Sequence, residues 1–209
     1  MSNNILIKVE KLSRFYGDNC AVDDINFELK RGDVLGFLGP NGAGKTTTIR
    51  ALSTLCGFDD GKISVAGFDV DAEPNKVRHA IGVVAQQTGV DYFLTGRENM
   101  MLHGHMYRMK KEDIKNRIKE LASYFELEKN LDTLVSNYSG GMRRKLDIAT
   151  ALIHRPKILF LDEPTLGLDI HSRKMLWQHI GELNKEFGLT ILLTTHYLEE
   201  ADELGRTSW

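Results

Sequence analysis

A glycine-rich loop near residue 40 constrains the fold of this chain more than any other segment. It matches the pattern G-x-x-x-x-G-K-[ST] and consists of Gly39, Pro40, Asn41, Gly42, Ala43, Gly44, Lys45, Thr46 and Thr47. Glycines let backbone N–H groups approach phosphate oxygens, the lysine adds positive charge, and the Thr46 hydroxyl suits Mg²⁺. The loop lies between an apolar run at 33–38 and a helix-compatible segment at 46–52. This order predicts a nucleoside triphosphate site, since a plain turn needs neither three glycines nor a Lys-Thr pair.

Composition and charge exclude several other classes. The chain has 209 residues, of which 42% are hydrophobic, enough for one domain with a buried core. Its 27 basic and 29 acidic residues give a formal net charge of −2, so we expect no binding to nucleic acid. No apolar run approaches the ~18 residues that span a bilayer, and the first residues do not resemble a signal peptide. We therefore expect a cytoplasmic chain that contacts a membrane only indirectly.

The order of apolar patterns predicts an α/β fold. Residues 5–38 are strand-like and indicate an antiparallel opening, residues 62–68 indicate a hairpin, and residues 81–84 indicate a short strand. Apolar runs at 158–161 and 190–194 flank a helical stripe, which predicts a parallel βαβ unit. We expect a P-loop core with a mixed or parallel sheet and an N-terminal antiparallel β subdomain.

Between these blocks the apolar period becomes helical. One predicted face comprises Leu102, Met106 and Met109, and a second comprises Ile114, Ile118, Leu121, Ala122 and Phe125. We interpret this stretch as an inserted α-helical subdomain. The predicted division of the single domain 1–209 is an α/β core over 1–89 and 154–209, with the helical subdomain over 90–153.

Two adjacent carboxylates, Asp162 and Glu163, follow the apolar run at 158–161. Ligand sites of parallel sheets lie beyond the carboxyl ends of their strands. Neighbouring residues of a strand point to opposite sides, so Asp162 can face Mg²⁺ while Glu163 takes a proton from water. The alternative is a solvated acid before a strand-ending proline, and the P-loop in the same chain disfavours it.

A second anion site is predicted where Ser139, Gly140 and Gly141 precede a helix. A serine cap and two glycines expose N–H groups at the helix N-terminus, although these residues are also ordinary in turns and caps. The basic run at 143–145 follows directly. We interpret it as an exposed helix face and not as a nucleic-acid patch.

Six motifs in register resemble the ATP-binding cassette ATPases, the nucleotide-binding subunits of ABC transporters, over nearly the whole chain. The matching segments are Gly39 to Thr46 (Walker A), Gln86 (Q-loop), Ser139 to Gly141 (signature), Asp162 and Glu163 (Walker B), Gly167 to Asp169 (D-loop) and His196 (switch histidine). Tyr16 stands where the family places an aromatic residue that stacks on adenine. Taken alone, this tyrosine and His196 would be structural residues.

Segments 138–149 and 162–173 narrow the resemblance to the drug-resistance branch associated with ABC-2-type exporters. Met142 followed by basic residues is frequent in that branch, whereas most of the superfamily has Gln. Tyr138 is a departure, because Leu is usual there. Family members continue past the point where 205–209 ends this sequence, so we expect a truncation, an altered reading frame or an engineered end.

The resemblance implies ATP and Mg²⁺ as cofactors and assigns roles to the site residues. Glu163 would be the general base. The other catalytic residues would be His196, Gln86 and Lys45. The metal would be held by Thr46, Gln86 and Asp162. The nucleotide would contact Tyr16, the loop 39–47 and, across a dimer interface, Ser139, Gly140, Gly141 and Asp169.

The resemblance also implies a function and partners. The chain would hydrolyse ATP to power export of a drug, lipid or polysaccharide, as a head-to-tail homodimer or paired with another ATPase subunit. A membrane-embedded permease would bind the helical insert at the inner face of the cell membrane. Two alternatives stay open: a soluble ATPase associated with nucleic acid, and a truncated, poorly active cassette that acts as a binding module. Neutral charge and a single cassette argue against the first.

Overall fold

The computed structural model describes residues 4–197, which form two four-stranded sheets and six α-helices. The strands are β1 (Ile5–Tyr16), β2 (Asn19–Lys30), β3 (Val34–Leu38), β4 (Asp60–Val65), β5 (Phe68–Asp69), β6 (Ile81–Val84), β7 (Ile158–Asp162) and β8 (Thr190–Thr195). The helices are α1 (Lys45–Leu52), α2 (Pro74–Ala80), α3 (Gly96–Met106), α4 (Lys111–Tyr124), α5 (Gly140–Ala151) and α6 (Ile170–Phe187). The expectation for 205–209 lies outside the described residues.

A parallel sheet with the order β3-β8-β7-β6 carries the loops of interest. Strands β7 and β8 are buried along their whole length, which is why their sequences are continuous apolar runs. Leu38 lies opposite Thr195, and Asp162 lies opposite Thr194. Because all four strands run in the same direction, the segments that follow β3, β7 and β8 meet at one edge of the sheet, which we call the carboxyl edge.

The second sheet is antiparallel, with the order β2-β1-β4-β5. The predicted hairpin is confirmed: Val65 pairs with Phe68, and Ala66 and Gly67 between them have φ values of 55° and 85°. Two positive φ values are what a two-residue hairpin turn requires. The expectation that β3 also belongs to this antiparallel opening is wrong. It pairs in parallel with β8, because its short buried run lies inside the core.

The parallel sheet is the middle layer between two apolar cores. Leu159, Leu161 and Leu193 face a core that they share with α3, α4, α5 and α6. Phe160 and Leu192, the alternate residues of the same strands, face a core shared with α1 and the antiparallel sheet. Side chains of a strand alternate between its two faces, so one pair of strands supports both layers. The predicted α/β P-loop architecture is confirmed.

The helical segment between β6 and β7 was predicted correctly in one part and wrongly in another. The face that contains Ile114, Ile118 and Leu121 is buried as expected. Leu102 and Met106, however, are 47% and 70% exposed, and Met109 lies beyond the end of α3. Helix α3 packs through its other side instead, because Gly104 allows Ile114 of α4 to approach closely. An apolar strip of α3 therefore faces solvent.

Candidate nucleotide-binding site

The glycine-rich loop runs from the end of β3 into α1, as the sequence predicts. Gly42 and Gly44 have φ values of 85° and 81°, a region that other residues rarely adopt. A Cβ atom on Gly44 would collide with the Ala21 carbonyl oxygen of β2. Gly44 also directly precedes the first residue of the helix. The loop therefore presents backbone N–H groups at a helix N-terminus, where they can bind an anion.

Lys45 is buried and bound to its own loop. Its Nζ donates hydrogen bonds to the Gly39 carbonyl at 2.7 Å and to the Pro40 carbonyl at 3.0 Å. It also lies 3.7 Å from Glu163 Oε1. The ammonium group is thus held at the carboxyl edge, with positive charge directed at the space above the loop.

Asp162, the last residue of β7, joins the loop to β8. Its Oδ1 accepts hydrogen bonds from Thr46 Oγ1 at 3.0 Å and from Thr194 Oγ1 at 2.6 Å. A threonine hydroxyl beside a carboxylate is a hard oxygen donor set, which suits Mg²⁺. The chemistry of Thr46 and Asp162 therefore fits the metal that the sequence analysis assigned to them.

Glu163 lies at the centre of the candidate catalytic residues. Gln86 Nε2 donates to its Oε2 at 3.4 Å, and His196 Nδ1 lies 3.5 Å from its Oε1. Glu163 is buried, and its φ of 44° is strained for a residue with a side chain. The structure thus brings Lys45, Gln86, Glu163 and His196 together. This hydrogen bond joins Gln86 to Glu163, the predicted general base. It does not join Gln86 to Thr46 or Asp162, the other predicted metal ligands.

An open cavity of about 420 Å³ lies above the loop. It is lined by Tyr16, Asn19, Cys20, Ala21, Asn41, Gly42, Ala43, Gly44, Lys45, Thr46, Thr47, Gln86 and Glu163. Tyr16 is half-exposed and has the Arg14 guanidinium 4.8 Å from its ring centre. Sequence reasoning missed Asn19, Cys20 and Ala21. The pairing of Tyr16 with Asn19 across the β1–β2 turn explains their presence, and Gly17 was the signal for that turn.

The second predicted anion site lies apart from this cavity. Ser139 caps α5 by accepting a hydrogen bond from the Met142 N–H at 3.2 Å. Ser139 and Gly141 border a separate cavity of about 230 Å³, against the start of α6. Asp169 caps α6 by accepting from Ser172 N–H and Oγ at 2.9 and 2.6 Å, and these bonds lower the pKa of Asp169. Within one chain, these residues do not join the P-loop.

The basic run 143–145 contains a residue that the sequence interpretation placed wrongly. Arg144 is 4% exposed, so it does not lie on a solvated helix face. Its guanidinium enters the space between α5 and the carboxyl edge of the sheet, where backbone carbonyls accept its hydrogen bonds. The pattern Arg-Arg-Lys gave no sign of this, because three adjacent basic residues usually remain hydrated.

A P-loop after β3, an acid pair after β7 and a histidine after β8 define a P-loop nucleotide-binding domain. The class can be narrowed by comparison with known proteins. A sequence model of the ABC transporter family matches residues 22–166, and this chain belongs to that family.

Individual relatives agree with this assignment. Over 206 residues the chain is 44% identical to the doxorubicin resistance ATP-binding protein DrrA of Mycobacterium tuberculosis; the match covers 98% of this chain and 62% of that protein. The chain thus spans about 62% of the length of that curated relative.

Solved structures show the same fold. The first is cbiO1 of Clostridium perfringens, described as part of the ABC transporter complex cbiONQ. It has a TM-score of 0.87 and 28% identity, with coverage of 97% of this chain and 82% of that one. The second is the cassette MJ0796, in a dimeric post-hydrolysis state bound to ADP and Pi. It has a TM-score of 0.84 and 28% identity, with coverage of 96% and 92%.

Proposed function

We propose that this chain binds ATP with Mg²⁺ and hydrolyses it, as the nucleotide-binding subunit of an exporter. One observation carries the proposal. Lys45, Gln86 and His196 come from three separate segments, and each lies within 3.7 Å of the Glu163 carboxylate. Structural packing alone gives no reason to gather an ammonium, an amide, an imidazole and a carboxylate beside a phosphate-binding loop.

Binding of the triphosphate requires N–H donors and positive charge. The P-loop backbone and the start of α1 supply the donors, and Lys45 can exchange its two carbonyl partners for phosphate oxygens. The residues that would hold Mg²⁺ are Thr46 and Asp162, and Gln86, which binds Glu163, is the third proposed ligand. When bound, Mg²⁺ supplies positive charge that neutralises phosphate oxygens. Tyr16 offers an aromatic face to the adenine at the rim of the same cavity.

Hydrolysis requires a base for the attacking water. Glu163 is the proposed base: it takes a proton from water as the water oxygen bonds to the γ-phosphorus and the bond to ADP breaks. His196, on one side of Glu163, would contact the γ-phosphate, and Gln86, on the other side, would orient the water. Their distances from Glu163 support these roles.

The proposed active unit is a head-to-tail dimer, in which Ser139, Gly140 and Gly141 of one copy cover the nucleotide of the other. Two observations support it. Ser139 and Gly140 are exposed at the N-terminus of α5, where N–H groups can bind a phosphate. Asp169 caps α6 and binds Ser172, which lines the same cavity as Ser139. Mixing purified subunits would show whether the second copy is identical or a paralogous subunit.

A membrane-embedded permease is the proposed partner, and the helical segment 90–153 is the proposed subdomain that contacts it. Among residues 4–197, no helix is long and apolar enough to span a bilayer. The exposed strip of Leu102 and Met106 on α3 is apolar surface that none of the described residues 4–197 covers. Beside it lies a largely apolar cleft lined by Leu55, His103 and Tyr107. We propose that the chain binds at the cytoplasmic face of the membrane through this permease, with a drug, lipid or polysaccharide as cargo.

Replacing Glu163 by Gln tests the proposed base. The substitution keeps the shape of the side chain but removes the proton acceptor. We expect ATP binding to stay within about threefold, while phosphate release falls about 1,000-fold. Fluorescent-nucleotide titration and a steady-state phosphate assay measure the two quantities, with Glu112→Gln on the exposed surface of α4 as the control. Phosphate release equal to that of the wild type would reject the assignment of Glu163.

Co-expression with a candidate multi-span permease tests the partner. Recovery of a complex from membranes, with ATP turnover that responds to the permease, is the expected result. Consistent recovery with ribosomes or DNA would favour the nucleic-acid alternative. A chain that binds the permease but shows no turnover, even when wild type in sequence, would favour the binding-module alternative.

A further inference from the structure

Arg144 makes an unusually complete set of hydrogen bonds for a buried cation. It is 4% exposed and lies in the first turns of α5. Its guanidinium donates to four backbone carbonyls and one carboxylate. The acceptors are Ala85 O (2.6 Å), Pro164 O (2.7 Å), Asp162 O (3.2 Å), Glu163 O (3.2 Å) and Asp147 Oδ2 (3.3 Å).

These carbonyls belong to the two segments that carry the proposed chemistry. Ala85 directly precedes Gln86, and the carbonyls of 162–164 belong to the turn that carries Asp162 and Glu163. One side chain from α5 therefore fixes the backbone beside three proposed site residues. A planar guanidinium has five N–H donors in a fixed arrangement, whereas lysine has three donors on one atom and cannot reach the same set.

Asp147 extends this set to the far end of the Q-loop. It lies one turn after Arg144 on α5 and is 6% exposed. Its Oδ2 accepts from Arg144, while its Oδ1 accepts from the Gly89 N–H at 3.2 Å. The segment 85–89 is thus held at both ends by two side chains of one helix, Ala85 by Arg144 and Gly89 by Asp147.

Burial of this pair is costly, and stability alone does not require it. Buried ion pairs often contribute nothing relative to apolar residues of the same volume, because both charges lose their hydration. Here every hydrogen-bond partner outside α5 belongs to the Q-loop or to residues 162–164 at the end of β7. The contacts are concentrated where the position of Gln86 and Glu163 decides the rate.

We propose that Arg144 and Asp147 are positioning residues for ATP hydrolysis: they fix Gln86 and Glu163 relative to α5, the helix whose N-terminus Ser139 caps. The inference rests on the proposed function, since it assumes that Glu163 and Gln86 act on water and phosphate. When Ser139 engages the nucleotide of a second copy, α5 would shift. Residues 85–89 and 162–164 would then shift with it, because Arg144 and Asp147 bind both segments. In the proposed arrangement, neither Arg144 nor Asp147 contacts ATP.

Arg144→Gln is the main test, with Arg144→Lys as the conservative variant. We expect turnover of Arg144→Gln to fall about 100-fold, because small displacements of catalytic groups are costly, while ATP affinity stays within about threefold. Arg144→Lys, which keeps the charge and some donors, should recover part of the loss. Arg155→Gln is the matched control, because Arg155 is exposed and pairs with Glu120 on the surface. A folded Arg144→Gln variant with turnover within threefold of the wild type would overturn the proposal.

Hydrogen exchange provides a readout that does not depend on activity. In Arg144→Gln, amides in peptides covering 84–90 and 160–166 should exchange at least about tenfold faster, while a β1 peptide stays unchanged. Unchanged exchange at 84–90 and 160–166 would overturn the proposal even if turnover falls. If Arg144→Gln does not fold, Asp147→Asn serves instead: it can still accept from Gly89 but loses its charge, and faster exchange at 84–90 is again expected. If Glu163→Gln keeps full turnover, the assignment of Glu163 as base fails, yet the exchange experiment still decides whether Arg144 holds the segments 84–90 and 160–166.

Discussion

The two candidate phosphate-binding regions differ in how far one chain completes them. At the P-loop, Lys45, Asp162 and Glu163 are buried and each has a partner from this chain. At the start of α5, Ser139 and Gly140 are exposed, and the cap serves only the helix that it begins. Both regions present N–H groups at a helix N-terminus, yet only at the first do buried charged side chains of this chain gather around the loop.

The comparison shows that two helix N-termini with similar N–H groups can differ in which neighbouring residues complete them. The P-loop needs neighbours from β2, β7 and β8, which the fold brings to it within one chain. At the N-terminus of α5, the Ser139 hydroxyl accepts a hydrogen bond from the Met142 N–H, and a phosphate is proposed to come from the nucleotide of a second copy. A substitution at the P-loop should therefore change nucleotide binding by a single chain. A substitution at Ser139 should change only the association of two chains.

Among the variants that test this difference between the two regions, we expect the largest effect from Ser139→Asp. Aspartate still caps α5, but its negative charge repels a triphosphate. We expect nucleotide affinity of the single chain to stay within about twofold, while ATP-dependent dimerisation is lost and turnover falls about 100-fold, on the scale of one lost transition-state contact. Size-exclusion chromatography with ATP in a Glu163→Gln background measures the dimer.

Ser136→Asp, an exposed serine one turn earlier, is the control for added charge. It should dimerise like its parent. Weaker nucleotide binding by the single chain carrying Ser139→Asp would contradict the separation of the two regions.

Gly44→Ala tests the dependence of the P-loop on β2. The new Cβ would meet the Ala21 carbonyl, and the φ of 81° would be strained. We expect a loss of about 2–4 kcal/mol in the free energy of unfolding, measured by urea denaturation. Gly42→Ala is the matched variant, because its φ of 85° is similar but no atom lies within 4 Å. It should lose only about 1 kcal/mol, and equal losses would show that contact with β2 is unimportant.

We expect the smallest effect from His154, which lies at the end of the parallel sheet away from the carboxyl edge. Burial lowers the pKa of His154 to about 4, and its Nε2 lies 2.9 Å from the Ile81 carbonyl at the start of β6. The folded chain therefore favours the neutral ring. Its contribution to stability is present above the ordinary pKa of about 6.5 and is lost as pH falls through about 4.

His154→Phe should remove this dependence while keeping the stack on Tyr107, whose ring lies 3.6 Å away. We expect the stability difference between wild type and variant to change by about 2–3 kcal/mol between pH 6.5 and pH 4. Urea denaturation at several pH values measures the difference. A difference that is constant with pH would show that His154 titrates normally in the folded chain.

The sequence signals for the P-loop side of the site are local. The loop, the acid pair after β7 and the histidine after β8 each follow a recognisable apolar run, and parallel strands bring such ends together. The exposed strip on α3 was not predictable, since Leu102 and Met106 have the spacing of a buried face. Which side of α3 packs is decided by Gly104 and Ile114, residues from two helices.

Arg144 was hidden for a related reason. Its neighbours Arg143 and Lys145 make it resemble a solvated residue, and its acceptors are backbone carbonyls, which carry no sequence signal. Asp147, three positions later, was the one available sign, because a carboxylate one turn after an arginine can accompany it into a buried site.

The positive φ of Glu163 has a consequence for how this sequence can vary. A left-handed backbone at a residue with a side chain costs about 1–2 kcal/mol, and glycine would relieve the cost. Selection for a stable fold alone would therefore favour glycine at this position. The glutamate at position 163 therefore indicates a requirement other than stability, and its replacement by glycine in a related chain would be a sign that the proposed hydrolysis has been lost while the fold is kept.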